Sequence, residues 1–199
     1  MKVIGITGGI GSGKSFVASL AAQFFPILHI STDDIAKEQM KKGGCSYKAV
    51  VEAFADECEI LDGEGELNRA ELAKLVFADE KKLALLNSIT HPNVLEEMNR
   101  IIELAREEGE YEAVLIESAL IFESGICERC DAVWYVYSPV ETRVERLMSS
   151  RGYSEQKIKS ILDDQLSEEE FVRRSDAVIY NDNDTTIEML VMRISELAL

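Results

Sequence analysis

The densest chemical signal in the chain is eight consecutive residues, Gly8-Gly9-Ile10-Gly11-Ser12-Gly13-Lys14-Ser15. They satisfy the spacing G-x-x-x-x-G-K-[S/T] in full. Each residue type has a physical reason to be there. The glycines let backbone N–H groups converge on phosphate oxygens with no side chain in the way. A helical pattern (Phe16, Val17, Leu20, Ala21, Phe24) begins at the loop's end, so the positive end of its dipole faces the same anion. Lys14 brings a mobile cation to the β- and γ-phosphates of a nucleotide, and the Ser15 hydroxyl can ligate Mg²⁺. A plain Gly-rich turn is the competing reading, but a chance match of the four fixed positions in this strand–loop–helix setting is rare.

Acids and cations elsewhere could complete a phosphoryl-transfer site. Asp33 and Asp34 follow the apolar run ending at Ser31, where either could orient an acceptor hydroxyl and take its proton. The same Ser-Thr-Asp cluster also suits a helix N-cap. Glu117 ends a second apolar run, a place from which a carboxylate can hold Mg²⁺ through water. Arg143, Arg146 and Arg151 cluster after a third run and suggest a lid that neutralises transferred phosphate, with a salt-bridged solvent face the alternative because Glu141 and Glu145 are interleaved. Cys127 and Cys130 form a Cys-x-x-Cys pair, but Cys45 and Cys58 are far apart and His29 and His91 are isolated, so a zinc site lacks its second half. Incidental thiols in a reducing compartment are the expectation.

The elements that must position these groups alternate along the chain. Short Val-, Ile- and Tyr-rich runs at 2–7, 27–31, 112–117, 132–137 and 177–180 read as strands buried on both faces of a parallel sheet. Helical patterns occupy 14–25, 33–41, 47–56, 69–77, 80–108 with a break at Pro92, 140–150, 154–164, 167–175 and 185–197. Strand–helix alternation predicts an α/β fold. About eighty almost wholly helical residues separate the second and third strands, more than a crossover needs, which predicts a helical lobe beside the sheet. A smaller helical excursion at about 151–175 precedes the last strand. Asp62-Gly63-Glu64-Gly65 is a turn signal.

The chain has 199 residues with 37 Asp or Glu against 21 Lys or Arg, a formal charge of −16. That balance excludes broad nucleic-acid binding and a polybasic membrane contact. At 46% hydrophobic and 29% charged residues it is an ordinary globular composition. The apolar start is too short for a signal-peptide core and no run approaches a membrane span, so a cytoplasmic protein is expected. A GTPase would carry a guanine-reading Asn-Lys-x-Asp after a later strand, and the sequence has none.

The ordered motifs resemble the dephospho-coenzyme A kinases over nearly the whole chain. The family's Thr-Gly-Gly-Ile-Gly-Ser-Gly-Lys-Ser stands unbroken at Thr7 to Ser15, and its Asp-Ala-Asp-x-Ile-Ala element corresponds to Ser31-Thr32-Asp33-Asp34-Ile35-Ala36. Leu67-Asn68-Arg69 with Val76-Phe77, Leu86-Asn87 with His91-Pro92, and Leu120-Ile121-Phe122-Glu123 follow in the family's order. Arg146, Arg151, Gln165, Asp176 and Asn181 fall at or near family positions. Departures are Ser31 for the first Asp, Phe16 for the usual Thr, Ala119 for a Pro, Glu117 where Asp is common, and Arg143 for a common Gln. Arg151 aligns only with a shift of one residue.

The resemblance implies a three-layer P-loop kinase fold with a five-stranded parallel sheet, a helical substrate-binding lobe and a lid. As one domain, residues 1–199 would divide into a core (about 1–32, 111–150 and 176–199), an acceptor lobe (about 33–110) and a lid (about 151–175). It further implies ATP-dependent phosphorylation of the ribose 3′-hydroxyl of dephospho-coenzyme A, with Mg²⁺ as cofactor and neither nucleic acid nor membrane as partner. ATP would be held by Gly8, Gly9, Ile10, Gly11, Ser12, Gly13, Lys14, Ser15 and Phe16, with Arg146 near the adenine and Asn181 beside it. Asp33, Arg69 and His91 would serve the acceptor, Asp33 as the aligning base, and Arg151 would close over the phosphoryl group. His91 before Pro92 also reads as a structural histidine. Another small-molecule kinase of nucleoside monophosphate or shikimate type, or a non-catalytic ATP-binding protein, are the alternatives.

Overall fold

The computed structural model describes residues 1–57 and 60–198. Cys58 therefore lies outside the described residues. Two compact units are distinguished: residues 1–31 with 104–199, and residues 32–103.

The first unit is built on five parallel strands: β1 (Lys2–Thr7), β2 (Ile27–Ser31), β3 (Ala113–Glu117), β4 (Ala132–Tyr137) and β5 (Ala177–Tyr180). Their order is β2-β3-β1-β4-β5, so β1 is central, with β3 on one side and β4 on the other. The connection from β1 runs to β2 on the β3 side, whereas that from β3 crosses β1 to reach β4. The chain thus changes direction beside β1, and the crevice at the C-terminal strand ends there is where ligands of such sheets bind. The loop Gly8–Gly13 occupies the C-terminal end of β1. The strands are apolar on both faces because both are covered. On one face α1 (Lys14–Phe24) and α9 (Ile187–Ala198) bury Val17, Leu20, Leu190 and Ile194 against Ile4, Ile6, Leu115, Trp134 and Ile179. On the other, Phe171 of α8 (Glu168–Arg174) stacks on Tyr135 with ring centroids 4.9 Å apart. Ahead of α8 lie α6 (Val140–Arg151) and α7 (Glu155–Asp163), and a 3-10 turn (Ile126–Arg129) links β3 to β4.

The second unit is helical. It holds α2 (Thr32–Gln39), α3 (Tyr47–Phe54), α4 (Arg69–Phe77) and, through Glu103, α5 (Glu80–Glu108). Val50, Phe54, Ile60, Leu67, Leu72 and Val76 form its core. The turn expected at Asp62–Gly65 is present: Gly65 N–H donates to Asp62 O at 3.1 Å, between the paired Leu61 and Leu67.

Strand positions expected from the sequence hold, with β3 starting one residue later at Ala113. The expected break at Pro92 does not occur, and α5 runs through it. Pro92 leaves the Ser88 carbonyl without its helical donor and crowds the preceding turn. Side chains supplement that turn: Asn93 Nδ2 donates to Ile89 O at 3.2 Å and Thr90 Oγ1 to Leu86 O at 3.0 Å. Thr90, Val94, Met98 and Ile102 form a buried stripe at four-residue spacing, and packing along it outweighs the local cost.

Candidate active site

The phosphate loop turns where only glycine fits. Gly13 has φ 86°, and a Cβ there would strike Asn181 Nδ2. Gly13 is also the N-cap of α1 and offers no side-chain cap. The first turn of α1 carries no acid, so its N–H groups and dipole remain available to an anion. Ser12 Oγ, Thr7 Oγ1 and Arg143 Nε, all in or beside this loop, are buried without hydrogen-bond partners. Buried polar atoms are normally paired, so three such atoms at one loop mark a place built for a polar ligand.

Three short networks hold the loop. In the first, Ser15 donates its hydroxyl to Glu117 Oε1, while His29 Nε2 lies 3.0 Å from Glu117 Oε2. Burial by itself would raise the Glu117 carboxyl. Hydrogen bonds from His29 and Ser15, with the Lys14 charge, outweigh it and hold the group below the ordinary range. Glu117 is therefore an ionised carboxylate beside the Lys14–Ser15 end of the loop.

The second network joins the loop to the ends of β4 and β5. Asn181 Nδ2 donates to Ser12 O at 2.7 Å, and its backbone N–H donates to Tyr137 O at 2.8 Å. Arg146 Nη1 donates to Asn181 O at 3.0 Å. The third network comes from the helical excursion. Ile10 N–H donates to Gln165 Oε1 at 3.0 Å. The Arg143 guanidinium lies against Gly9, where an added Cβ would strike Nη1, and its Nη2 is 3.7 Å from Glu168 Oε1. Arg143 is only 6% exposed.

The loop residues, Lys14, Ser15, Glu117, Arg146 and Asn181 are thus brought together as the motifs suggested. Phe16 follows the loop in α1 with its ring exposed. Arg143 and Arg146 do not form a solvated salt-bridge face: each turns onto the loop or its supports. Arg151 ends α6 and is exposed. Sequence reasoning missed His29 and undervalued Arg143 and Gln165. The signal for His29 was a lone imidazole in an apolar strand, and for Arg143 a long cation near the start of α6.

Asp33, Arg69 and His91 belong to the second unit. Asp33 is exposed in the first turn of α2, two residues beyond β2. Arg69 Nη2 donates to Lys37 O at 2.7 Å, tying the start of α4 to α2. His91 is half-buried in α5, and burial lowers its imidazole from the ordinary value.

Cys45, Cys127 and Cys130 are free thiols. Burial, with the neighbouring Cys127 and Asp131, pushes the Cys130 thiol up to about 12. A thiol held protonated in this way is a poor metal ligand and a poor nucleophile.

Comparison with known proteins shows the family and the fold. The family model described as dephospho-CoA kinase matches residues 2–187. A dephospho-CoA kinase from Corynebacterium diphtheriae is 42% identical over 181 residues, covering 91% of this chain and 88% of the relative. The crystal structure of TT1252 from Thermus thermophilus superposes with a TM-score of 0.81 at 32% identity, covering 98% of this chain and 95% of that one. A dephospho-CoA kinase structure from Campylobacter jejuni gives 0.70 at 26% identity, with coverage of 98% and 96%.

Proposed function

From a chain that belongs to the dephospho-CoA kinase family, we propose that ATP and dephospho-CoA are its substrates. The reaction is ATP-dependent phosphorylation of dephospho-CoA, at the ribose 3′-hydroxyl, to give coenzyme A and ADP. The observation that carries this reading is the joined set of loop amides, Lys14, Ser15 and Glu117 at the C-terminal end of the central strand.

The loop N–H groups and the α1 dipole cradle the ATP phosphates, and Lys14 neutralises charge that builds on the transferring group. Asn181 and Arg146 keep the Ser12–Gly13 turn in shape and border the adenine side. Asp33 aligns the acceptor hydroxyl and receives its proton. In a largely dissociative transfer its positioning counts for more than its basicity. Arg69 and His91 belong to the acceptor lobe, about 33–110, and residues of about 151–175 form the lid, whose Arg151 closes on the phosphoryl group.

The donor set fits Mg²⁺. A hydroxyl and a carboxylate are hard oxygen ligands, and Mg²⁺ is commonly bound by one or two such groups with waters and substrate phosphates supplying the rest. Among the described residues no group of three or more His, Cys, Asp or Glu is arranged to cage a metal by itself. When bound, Mg²⁺ offsets phosphate charge and fixes its geometry. Ser15 would ligate it directly and Glu117 through water. No helix among the described residues is long and apolar enough to cross a membrane, and we place the activity in the cytoplasm.

The test is to offer dephospho-CoA, a nucleoside monophosphate and shikimate in turn with Mg·ATP and follow ADP release. Turnover with dephospho-CoA alone is expected, and turnover only with another acceptor would sink the assignment. Asp33→Asn is expected to lower kcat by about 10²-fold or more while ATP affinity stays near wild type. A wild-type rate in that variant would remove Asp33 from the mechanism.

A further inference from the structure

The carboxylate of Glu117 is gripped from two directions. Ser15 donates to Oε1, and that contact belongs to the phosphate-loop reading. The contact of His29 Nε2 with Oε2, at 3.0 Å, does not. An ionised carboxylate only accepts, so this contact requires the imidazole to carry its proton on Nε2 and donate it.

The arrangement follows from sheet register. β2 and β3 pair with His29 opposite Leu115 and Ser31 opposite Glu117. His29 is therefore the diagonal neighbour of Glu117. Ile27 and Leu115, two residues from His29 and Glu117 on their strands, both pack in the core under α1. The His29 side chain is 21% exposed and that of Glu117 10%. Burying these two polar groups against an apolar face costs stability unless they satisfy each other.

Glu117 reaches the site on a long side chain with several rotatable bonds. That freedom must be removed before the carboxylate can present a fixed edge to a hydrated cation. Groups behind a metal ligand generally do this by hydrogen-bonding the oxygen that faces away from the metal.

We infer that His29 is a positioning residue for the metal site, clamping Glu117 Oε2 so that Oε1 stays against Ser15 and the pair is arranged before Mg·ATP arrives. The inference rests on the Mg·ATP reading above and deepens it. It assigns a role to a strand residue that none of the phosphate-loop, acceptor or lid motifs includes.

The experiment uses the full chain with a non-hydrolysable ATP analogue and Mn²⁺ as probe, free Mn²⁺ being read by electron paramagnetic resonance. His29→Leu is expected to weaken Mn²⁺ binding to the nucleotide complex by about tenfold or more. The Mg²⁺ concentration for half-maximal turnover should rise in parallel, with metal-free nucleotide affinity unchanged. His29→Gln, whose terminal amide donates from a similar reach, should restore affinity close to wild type. In a Glu117→Leu background, His29→Leu should cause no further loss, because the acceptor that His29 clamps is gone.

Unchanged Mn²⁺ affinity in folded His29→Leu would overturn the inference, as would equal losses in both backgrounds. If His29→Leu does not fold, His29→Gln against the shorter His29→Asn decides: retention with Gln and loss with Asn supports the clamp, and equal affinities overturn it. Failure of the wild-type chain to bind Mn²⁺ with nucleotide is a separate result that would remove the Mg·ATP reading and the clamp together. Unchanged affinity in the His29 variants of a chain whose wild type binds Mn²⁺ with nucleotide would remove the clamp alone.

Discussion

Single residues decide how the phosphate loop is held, and the arginines are the clearest case. Arg143 is buried against Gly9, with Glu168 as its counter-charge and Nε unpaired, whereas Arg151 is exposed at the end of α6. A buried guanidinium beside the loop has paid its desolvation in advance and acts in a lower dielectric. Arg143→Met, which keeps most of the side-chain volume, is therefore expected to lower kcat by about tenfold or more. Arg151→Ala should cost less in the same ADP-release assay. The reverse order would return the leading role to Arg151. Gln165 belongs to the same scale: its carbonyl accepts from Ile10 N–H, so a residue of the helical excursion already satisfies one donor of the loop.

Elements place these residues through periodicity and capping. The five strands were legible because runs such as Ala132–Tyr137 are apolar on both faces, a pattern only a covered parallel sheet explains. Both excursion helices start at serines whose hydroxyls accept from the third N–H: Ser154 from Lys157 at 3.3 Å and Ser167 from Glu170 at 3.2 Å. Those starts were readable from sequence because the cap is local chemistry. Continuation of α5 through Pro92 was not, since the helix is held there by residues distant in the chain: Asn93 Nδ2 donates to Ser46 Oγ and Gln39 Nε2 to Asn93 O, both at 2.9 Å. Pro92→Ala should restore the missing donor. It is expected to raise stability by on the order of 2 kcal/mol, the helix-interior cost of proline less its benefit in the unfolded chain. Thermal unfolding is the check, and a lowered Tm would mean that the proline is needed where it stands.

At the scale of the molecule, a charge of −16 coexists with a site for two anionic substrates. Some of the acid lies in local helical pairs such as Asp34–Lys37, Glu71–Lys74, Glu97–Arg100 and Glu170–Arg173. Exposed pairs of this kind contribute little to stability and serve solubility. The first turn of α1, by contrast, is free of acid and flanked by Lys14. Overall stability should also respond to pH through His91. Burial disfavours its imidazolium, so the folded chain titrates below the ordinary value of about 6.5. As pH falls the unfolded chain takes the proton first. The contribution is therefore complete above about pH 6.5 and is lost as pH drops through the lower folded value. Unfolding curves of wild type and His91→Gln from pH 8 to 5 should diverge below about 6.5, wild type losing more. Parallel curves would show that the imidazole is not desolvated.

The sequence by itself determined the parallel α/β class, the strand positions, the phosphate loop and the family. Each rests on local rules: side-chain periodicity, glycine where backbone must approach phosphate, and an ordered set of short motifs. Only the tertiary structure decided that His29 grips Glu117, that Arg143 rather than Arg151 lies on Gly9, and that Gln165 reaches Ile10. Those contacts join residues 88, 134 and 155 positions apart. Their existence depends on strand register and on which face each helix packs, and neither is fixed by the neighbours of a residue along the chain.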